Sequence, residues 1–198
     1  MHKLIMATNN RHKLEEVAQM TGNKIELLTL ADIGFAGDIE ETGSTFTENA
    51  SIKSRFIYDR YAINCFADDS GLEIDALNGE PGVYSARYSG VHGDHDANMD
   101  KVLKNMQGVT NRSARFRTVI SLLWEGQEHL FEGTVEGTIR HERAGSGGFG
   151  YDPIFEPQGH TVTFAQMNLD EKNAISHRAR ALDGLVKFLD TVDKAGGL

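Results

Sequence analysis

Ser113-Ala114-Arg115-Phe116-Arg117-Thr118-Val119-Ile120-Ser121-Leu122-Leu123-Trp124 runs through Glu125-Gly126-Gln127 into Glu128-His129-Leu130-Phe131-Glu132-Gly133-Thr134-Val135-Glu136-Gly137-Thr138-Ile139-Arg140. Both runs alternate and are rich in Val, Thr, Ile and Phe, which suit a pleated, half-buried surface. A glycine-containing turn between them predicts a long β-hairpin. Hairpin strands run antiparallel, so the pattern argues against an all-parallel sheet.

Upstream, helical and strand periods alternate. Lys3–Thr8 and Lys24–Thr29 read as strands, with a helix over Asn10–Thr21 that places Leu14, Val17 and Ala18 on one face. A second helix spans Ser44 to about Tyr61, with Thr45 and Glu48 spaced as a capping box. Asn64–Ala67 and Leu72–Asp75 read as strands around a turn at Asp69-Ser70-Gly71, and Asp96–Met106 as a helix. Downstream, Leu182, Leu185, Val186, Leu189 and Val192 keep helical spacing over His177–Val192. Interleaved helices and strands with one long hairpin define an α/β protein with a mixed sheet.

The 198 residues suit one globular domain, 1–198, with room for two lobes. No apolar run approaches the roughly 20 residues of a membrane span, and Met1–Ala7 reads as a first strand and not a signal peptide. The single cysteine, Cys65, sits in the apolar run Ile63–Ala67 and reads as buried filler; with no partner for a disulfide, a cytoplasmic location is expected. A formal net charge of −9 argues against nucleic acid as a partner, because phosphate-backbone affinity comes from clustered Lys and Arg. It leaves room for a small anion in a local basic pocket.

Five stretches could carry chemistry. Thr8-Asn9-Asn10-Arg11-His12-Lys13 lies at a strand-to-helix junction, where free N–H groups and the positive helix end favour phosphate; the plainer reading is an Asn cap with a solvated Lys. Glu40-Glu41-Thr42-Gly43-Ser44 precedes a helix on which Asn49 and Lys53 share a face, and its acids could ligate Mg²⁺ or form a solvated loop. Asp68 and Asp69 end an apolar strand, where α/β sheets gather ligands. Side chains alternate along a strand, so only one of the two should face a site, able to orient or deprotonate a water.

Gly145 to Gly150 match G-x-G-x-x-G, but Pro153 should force Asp152 to be extended, so no dinucleotide-binding helix can open there. Instead, Phe149 could stack on a base. Lys172, His177 and Arg178 put cations at or before the last helix, against its dipole. An oxygen-rich ligand such as an oxo-purine explains that placement, and so does an Arg paired with a nearby acid. His92-Gly93-Asp94-His95-Asp96 fits no zinc spacing, and Asp94 or Asp96 can cap the next helix.

Taken together, Thr8-Asn9-Asn10…Lys13, Glu41-Thr42-Gly43…Phe46…Asn49-Ala50…Lys53, Ala67-Asp68-Asp69-Ser70-Gly71-Leu72, Pro81-Gly82-Val83-Tyr84-Ser85-Ala86-Arg87-Tyr88, Gly148-Phe149-Gly150-Tyr151-Asp152-Pro153 and Lys172-Asn173…Ser176-His177-Arg178 resemble the inosine/xanthosine triphosphate pyrophosphatase family. The pieces run in family order over nearly the whole chain. The resemblance implies an elongated mixed β-sheet flanked by helices, two lobes with a central cleft, a homodimer, and Mg²⁺ as cofactor. It implies hydrolysis of ITP, dITP and XTP to monophosphate and pyrophosphate. Asp69 would be the catalytic acid, holding metal with Glu40 or Glu41. Thr8, Asn9, Asn10, Arg11, His12, Lys13 and Lys53 would grip the triphosphate. Ser70, Phe149, Gly150, Tyr151, Asp152, Lys172, His177 and Arg178 would hold the nucleoside. Asn9 stands where many members have Gly. A pyrophosphatase for modified pyrimidine triphosphates and a non-catalytic Mg-nucleotide sensor are the rival readings.

Overall fold

A computed structural model describes residues 2–22 and 24–195; Met1 and Gly196–Leu198, the outer ends of the expected 1–198 domain, lie outside the described residues. It contains a six-stranded sheet of order β2-β1-β3-β4-β5-β6. The strands are β1 (His2–Met6), β2 (Ile25–Leu28), β3 (Cys65–Ile74), β4 (Ser113–Trp124), β5 (Gln127–Ile139) and β6 (Phe155–Pro157). The helices are α1 (Arg11–Thr21), α2 (Phe46–Tyr61), α3 (His95–Asn105), α4 (Leu169–Ile175) and α5 (His177–Ala195). β1 runs parallel to β2 and β3, whereas β5 and β6 are antiparallel, so the sheet is mixed as expected.

The expected hairpin forms with a two-residue turn. Glu125 (φ 49°) and Gly126 (φ 81°) both take left-handed angles, the requirement of a turn that matches strand twist. The capping box of α2 is present, with Thr45 as cap. Asn10 caps α1 and Asp94 caps α3 through their side chains. Ala18 departs from expectation: it is exposed, and Glu16 is buried instead. The separate strands and the turn at Asp69-Ser70-Gly71 are also corrected, because β3 is continuous from Cys65 to Ile74. Cys65–Asp69 are all buried, and a buried backbone must keep its ladder bonds. The short elements α4 and β6 have no sequence-level expectation to match.

The chain divides into two compact units. The first comprises residues 1–69, 118–133 and 178–198. Within it, alternation sorts the core onto two faces. Leu4, Met6, Phe66, Ile120 and Leu122 pack with Val17 of α1 and Leu182, Leu185 and Leu189 of α5. Ile5, Ala7, Cys65, Ala67 and Leu123 pack with Ile57 of α2. β1 is apolar on both faces, with Leu4, Ile5 and Met6 fully buried, as expected of a strand covered on both sides. The second unit comprises residues 70–117 and 134–177. Its core joins Leu72 and Ile74 of β3, Met99 and Val102 of α3, Phe116 of β4, Val135 and Ile139 of β5, and Phe155 and Phe164.

Candidate active site

The two-residue period of β3 decides the fate of the paired aspartates. Asp68 has the parity of Phe66, so it points to the face covered by α1 and α5. There its Oδ2 lies 2.9 Å from Lys13 Nζ and 3.4 Å from both Nε and Nη2 of Arg178. Arg178, itself 1 % exposed, also pairs with buried Glu16 of α1. Asp69 has the parity of Ala67 and points to the α2 face, where its Oδ2 accepts from Asn49 Nδ2 at 3.0 Å. Lys53, one turn further along α2, donates to the Asp68 carbonyl at 2.7 Å and pairs with Glu41.

Electrostatics separates the two carboxyls. Burial disfavours the charge of Asp68, but Lys13, Arg178 and Lys53 outweigh it and hold its carboxyl well below the usual carboxylate range. Burial also pushes Asp69 up; Lys53 and Lys13 oppose this incompletely, and Glu41 adds like-charge repulsion, so Asp69 stays above its ordinary value. Lys53 is disfavoured by burial, yet Asp69, Glu41 and Asp68 together raise its pKa. Lys13 is lowered, chiefly by burial. One aspartate is thus a permanent counter-ion, and its neighbour has the raised affinity for protons that a general base needs.

The acids also bear on a metal. Glu41 contacts Lys53 and acts on Asp69, while Glu40 is exposed. Asp68 Oδ1 is buried with no hydrogen-bond partner. Among the described residues no group of three or more His, Cys, Asp and Glu forms a cage. Such a donor set fits a hard cation held by one or two carboxylates and the oxygens of a bound anion, the habit of Mg²⁺.

The rest of the expected phosphate grip is uneven. Asn10 uses its Oδ1 to accept from the Lys13 N–H at 3.1 Å, and Thr8 Oγ accepts from the Asn10 N–H at 3.1 Å. Asn9 donates to the Gly37 carbonyl (2.9 Å) and to Asp38 (2.7 Å), tying down the loop before the Glu40-Glu41 pair. Arg11 and His12 stand exposed beside Glu15.

The second unit gathers the expected nucleoside residues. Lys172 of α4 and Asp152 are both nearly fully buried, with Nζ 2.7 Å from Oδ2. The same Oδ2 accepts from the Phe149 N–H at 2.9 Å, and Lys172 Nζ lies 4.7 Å from the centre of the Phe149 ring. Asp152 is not extended, as Pro153 led us to expect, but begins a 3₁₀ turn over Asp152–Ile154. Its carboxylate bonds to Phe149 and Lys172 favour the tight turn over the extended form. Gly148 has φ 69°, and a Cβ there would lie 2.1 Å from Asp152 Oδ2, so the loop can close on this carboxylate only with glycine. Tyr151 donates to the Ser85 carbonyl at 2.8 Å, and the His177 ring stacks on Phe116 with centroids 4.8 Å apart. Ser70 is half-buried directly after Asp69, and Gly150 is half-buried with φ 64°.

Two residues that sequence reasoning missed, Glu16 and Phe116, complete these clusters; neither carries a local signal, since each acts on a partner distant in sequence. Ser85 lies in the stretch 81–88 quoted for the resemblance, but has no role assigned there.

A model of the Ham1 family matches residues 4–188. The chain is 51 % identical over 190 residues to a dITP/XTP pyrophosphatase of Porphyromonas gingivalis, covering 96 % of this chain and 98 % of that protein. It is 46 % identical over 186 residues to a dITP/XTP pyrophosphatase of Flavobacterium psychrophilum, covering 94 % and 98 %. A solved structure of a HAM1 protein from Coxiella burnetii superposes with a TM-score of 0.88 at 40 % identity, covering 96 % of this chain and all of that one (100 %).

Proposed function

Since the chain belongs to the Ham1 family, we infer that it hydrolyses deaminated purine nucleoside triphosphates, of the dITP, ITP and XTP type, to the monophosphate and pyrophosphate. The observation that carries this reading is Asp69: a buried carboxyl with a raised pKa, held by Asn49 in a cluster with Lys53 and Lys13. The names of the relatives support the substrate class.

In this reading Asp69 takes a proton from a water as that water attacks the α-phosphorus, and pyrophosphate leaves. Lys13 and Lys53 offset the charge gathering on the leaving oxygens, so the chain contributes mainly positioning and fixed electrostatics. Asp69 and Glu41 would hold a divalent ion, Mg²⁺, together with the phosphates; when bound it neutralises phosphate charge. Phe149, Asp152 and Lys172 hold the base, with Ser70 and His177. Donors suit the 6-oxo group and leave the amine of adenine unmatched. Arg178 would act on the base from a guanidinium already braced by Asp68 and Glu16. We further infer a cytoplasmic homodimer whose residues 1–198 act as one domain, with neither nucleic acid nor membrane as partner.

The test is pyrophosphate release with Mg²⁺ from ITP, XTP, dITP, ATP, GTP, CTP and UTP in parallel. Strong release from the first three with little from the others is expected. Binding of ITP without release would make the protein a sensor; preference for pyrimidines would remove the base-reading assignment.

A further inference from the structure

The parity that sends Asp69 toward α2 sends Ser121 of β4 the same way, since it lies between Ile120 and Leu122, which face α5. Ser121 is fully buried, and its Oγ lies 2.7 Å from Oγ of equally buried Ser54 on α2. It also donates to Glu128 Oε1 at 2.7 Å, across the hairpin turn on β5. Glu128 Oε2 pairs with Arg55 of α2, which closes the chain from the solvent side.

The proton count gives this chain a direction. Each hydroxyl has one proton, and an ionised carboxylate only accepts. Burial pushes the Glu128 carboxyl up, but hydrogen bonds from Ser51 and Ser121, with Arg55 beside them, outweigh it and keep the carboxyl below its usual value. The proton of Ser121 therefore goes to Glu128, and that of Ser54 is shared between Ser121 Oγ at 2.7 Å and the Ser51 carbonyl at 3.2 Å. The arrangement sits beside an apolar cluster of Ile57, Cys65 and Leu123, where hydrophobic side chains would pack at no polar cost. What hydroxyls and a carboxylate add is directional geometry. One residue of slip along α2 moves its face by about 1.5 Å and 100° and breaks the contacts by which the hairpin holds α2, Ser54 to Ser121 and Arg55 to Glu128.

Ser54 directly follows Lys53, and Asn49 lies one turn before. We propose that Ser121 and Glu128 are positioning residues, which through Ser54 hold α2 at the depth and roll where Asn49 meets Asp69 and Lys53 meets the Asp68 carbonyl. The catalytic consequence rests on the function inferred above; the geometric one does not. A misplacement of about 1 Å is enough to cost on the order of 100-fold in rate.

The experiment is Ser121→Ala in the full chain, assayed where circular dichroism shows the variant folded. Pyrophosphate release from ITP should lose about tenfold or more in kcat, with KM within about twofold, the mark of a transition-state defect. The Asn49 side-chain amide signals in ¹H–¹⁵N spectra should shift and exchange faster with solvent. Ser121→Thr, which keeps the hydroxyl, should restore both. Leu123→Val, a truncation on the same strand and face, should lower stability and move neither. Should Ser121→Ala fold poorly, Glu128→Gln at its half-buried end of the chain gives the same two readouts. Wild-type kcat or wild-type Asn49 signals in the folded variant overturn the proposal, as does an equal effect from Leu123→Val. A wild-type protein that releases pyrophosphate from no nucleotide refutes the functional reading alone, and the Asn49 signals still decide the geometry.

Discussion

Asp68→Asn isolates the role of the first aspartate as an internal counter-ion. Its carboxylate lies 2.9 Å from Lys13 Nζ, a separation at which a unit-charge pair attracts by about 6 kcal/mol in an effective dielectric of about 20. Arg178, at 3.4 Å, adds a second contact but keeps Glu16 when Asp68 is neutralised. Desolvation cancels part of the gross attraction, and breaking a buried pair costs about 3–5 kcal/mol. For a chain of this size that is roughly 6–20 °C in Tm.

The pH dependence has a definite sign. The folded pKa of Asp68 is depressed, so its stabilising charge is fully present above the unfolded value of about 3.9 and is lost as pH falls through the lower folded value. The Tm gap between wild type and variant should be constant from neutrality to about pH 5 and narrow below it. Since the variant leaves Lys13 short of its paired carboxylate, added pyrophosphate should raise its Tm more than that of wild type. Differential scanning fluorimetry across pH, with and without pyrophosphate, makes both measurements. A Tm within about 2 °C of wild type at pH 7 would refute the ion-pair reasoning, since even 1 kcal/mol should be visible.

Asp69→Asn keeps the shape but removes the base, and should lower kcat for pyrophosphate release by about 100-fold or more; near-wild-type turnover would sink its role. Because its pKa is raised, the acid limb of kcat/KM in wild type should lie above the ordinary aspartate value of about 3.9, and a limb at or below it contradicts the assignment. Lys172→Met leaves Asp152 buried with the Phe149 N–H; urea unfolding should show a loss of about 3–5 kcal/mol, and the preference for ITP over ATP should fall. Gly148→Ala drives a methyl to 2.1 Å from Asp152 Oδ2 at a positive φ; KM for ITP should rise several-fold while wild-type KM would show that the loop relaxes freely.

Much of the fold was legible because its signals are local. The hairpin announced itself by alternation, α2 by Thr45 and Glu48, and α5 by its leucine spacing. Local rules failed where tertiary contacts outbid them. Asp69-Ser70-Gly71 has turn chemistry, yet burial keeps β3 extended. Asp152 precedes a proline, yet its carboxylate bonds shape a tight turn.

The sequence by itself determined the α/β class, the caps, the residues worth watching and, through the two-residue period of a strand, that Asp68 and Asp69 must part company. Only the tertiary structure decided which helix each would meet, that Glu41 and not Glu40 reaches Lys53, and that Arg178 is answered by Glu16 and Asp68 from 162 and 110 residues away. Spacing along a chain encodes which side a residue faces; it does not encode what a distant segment will place there, because that partner is chosen by packing.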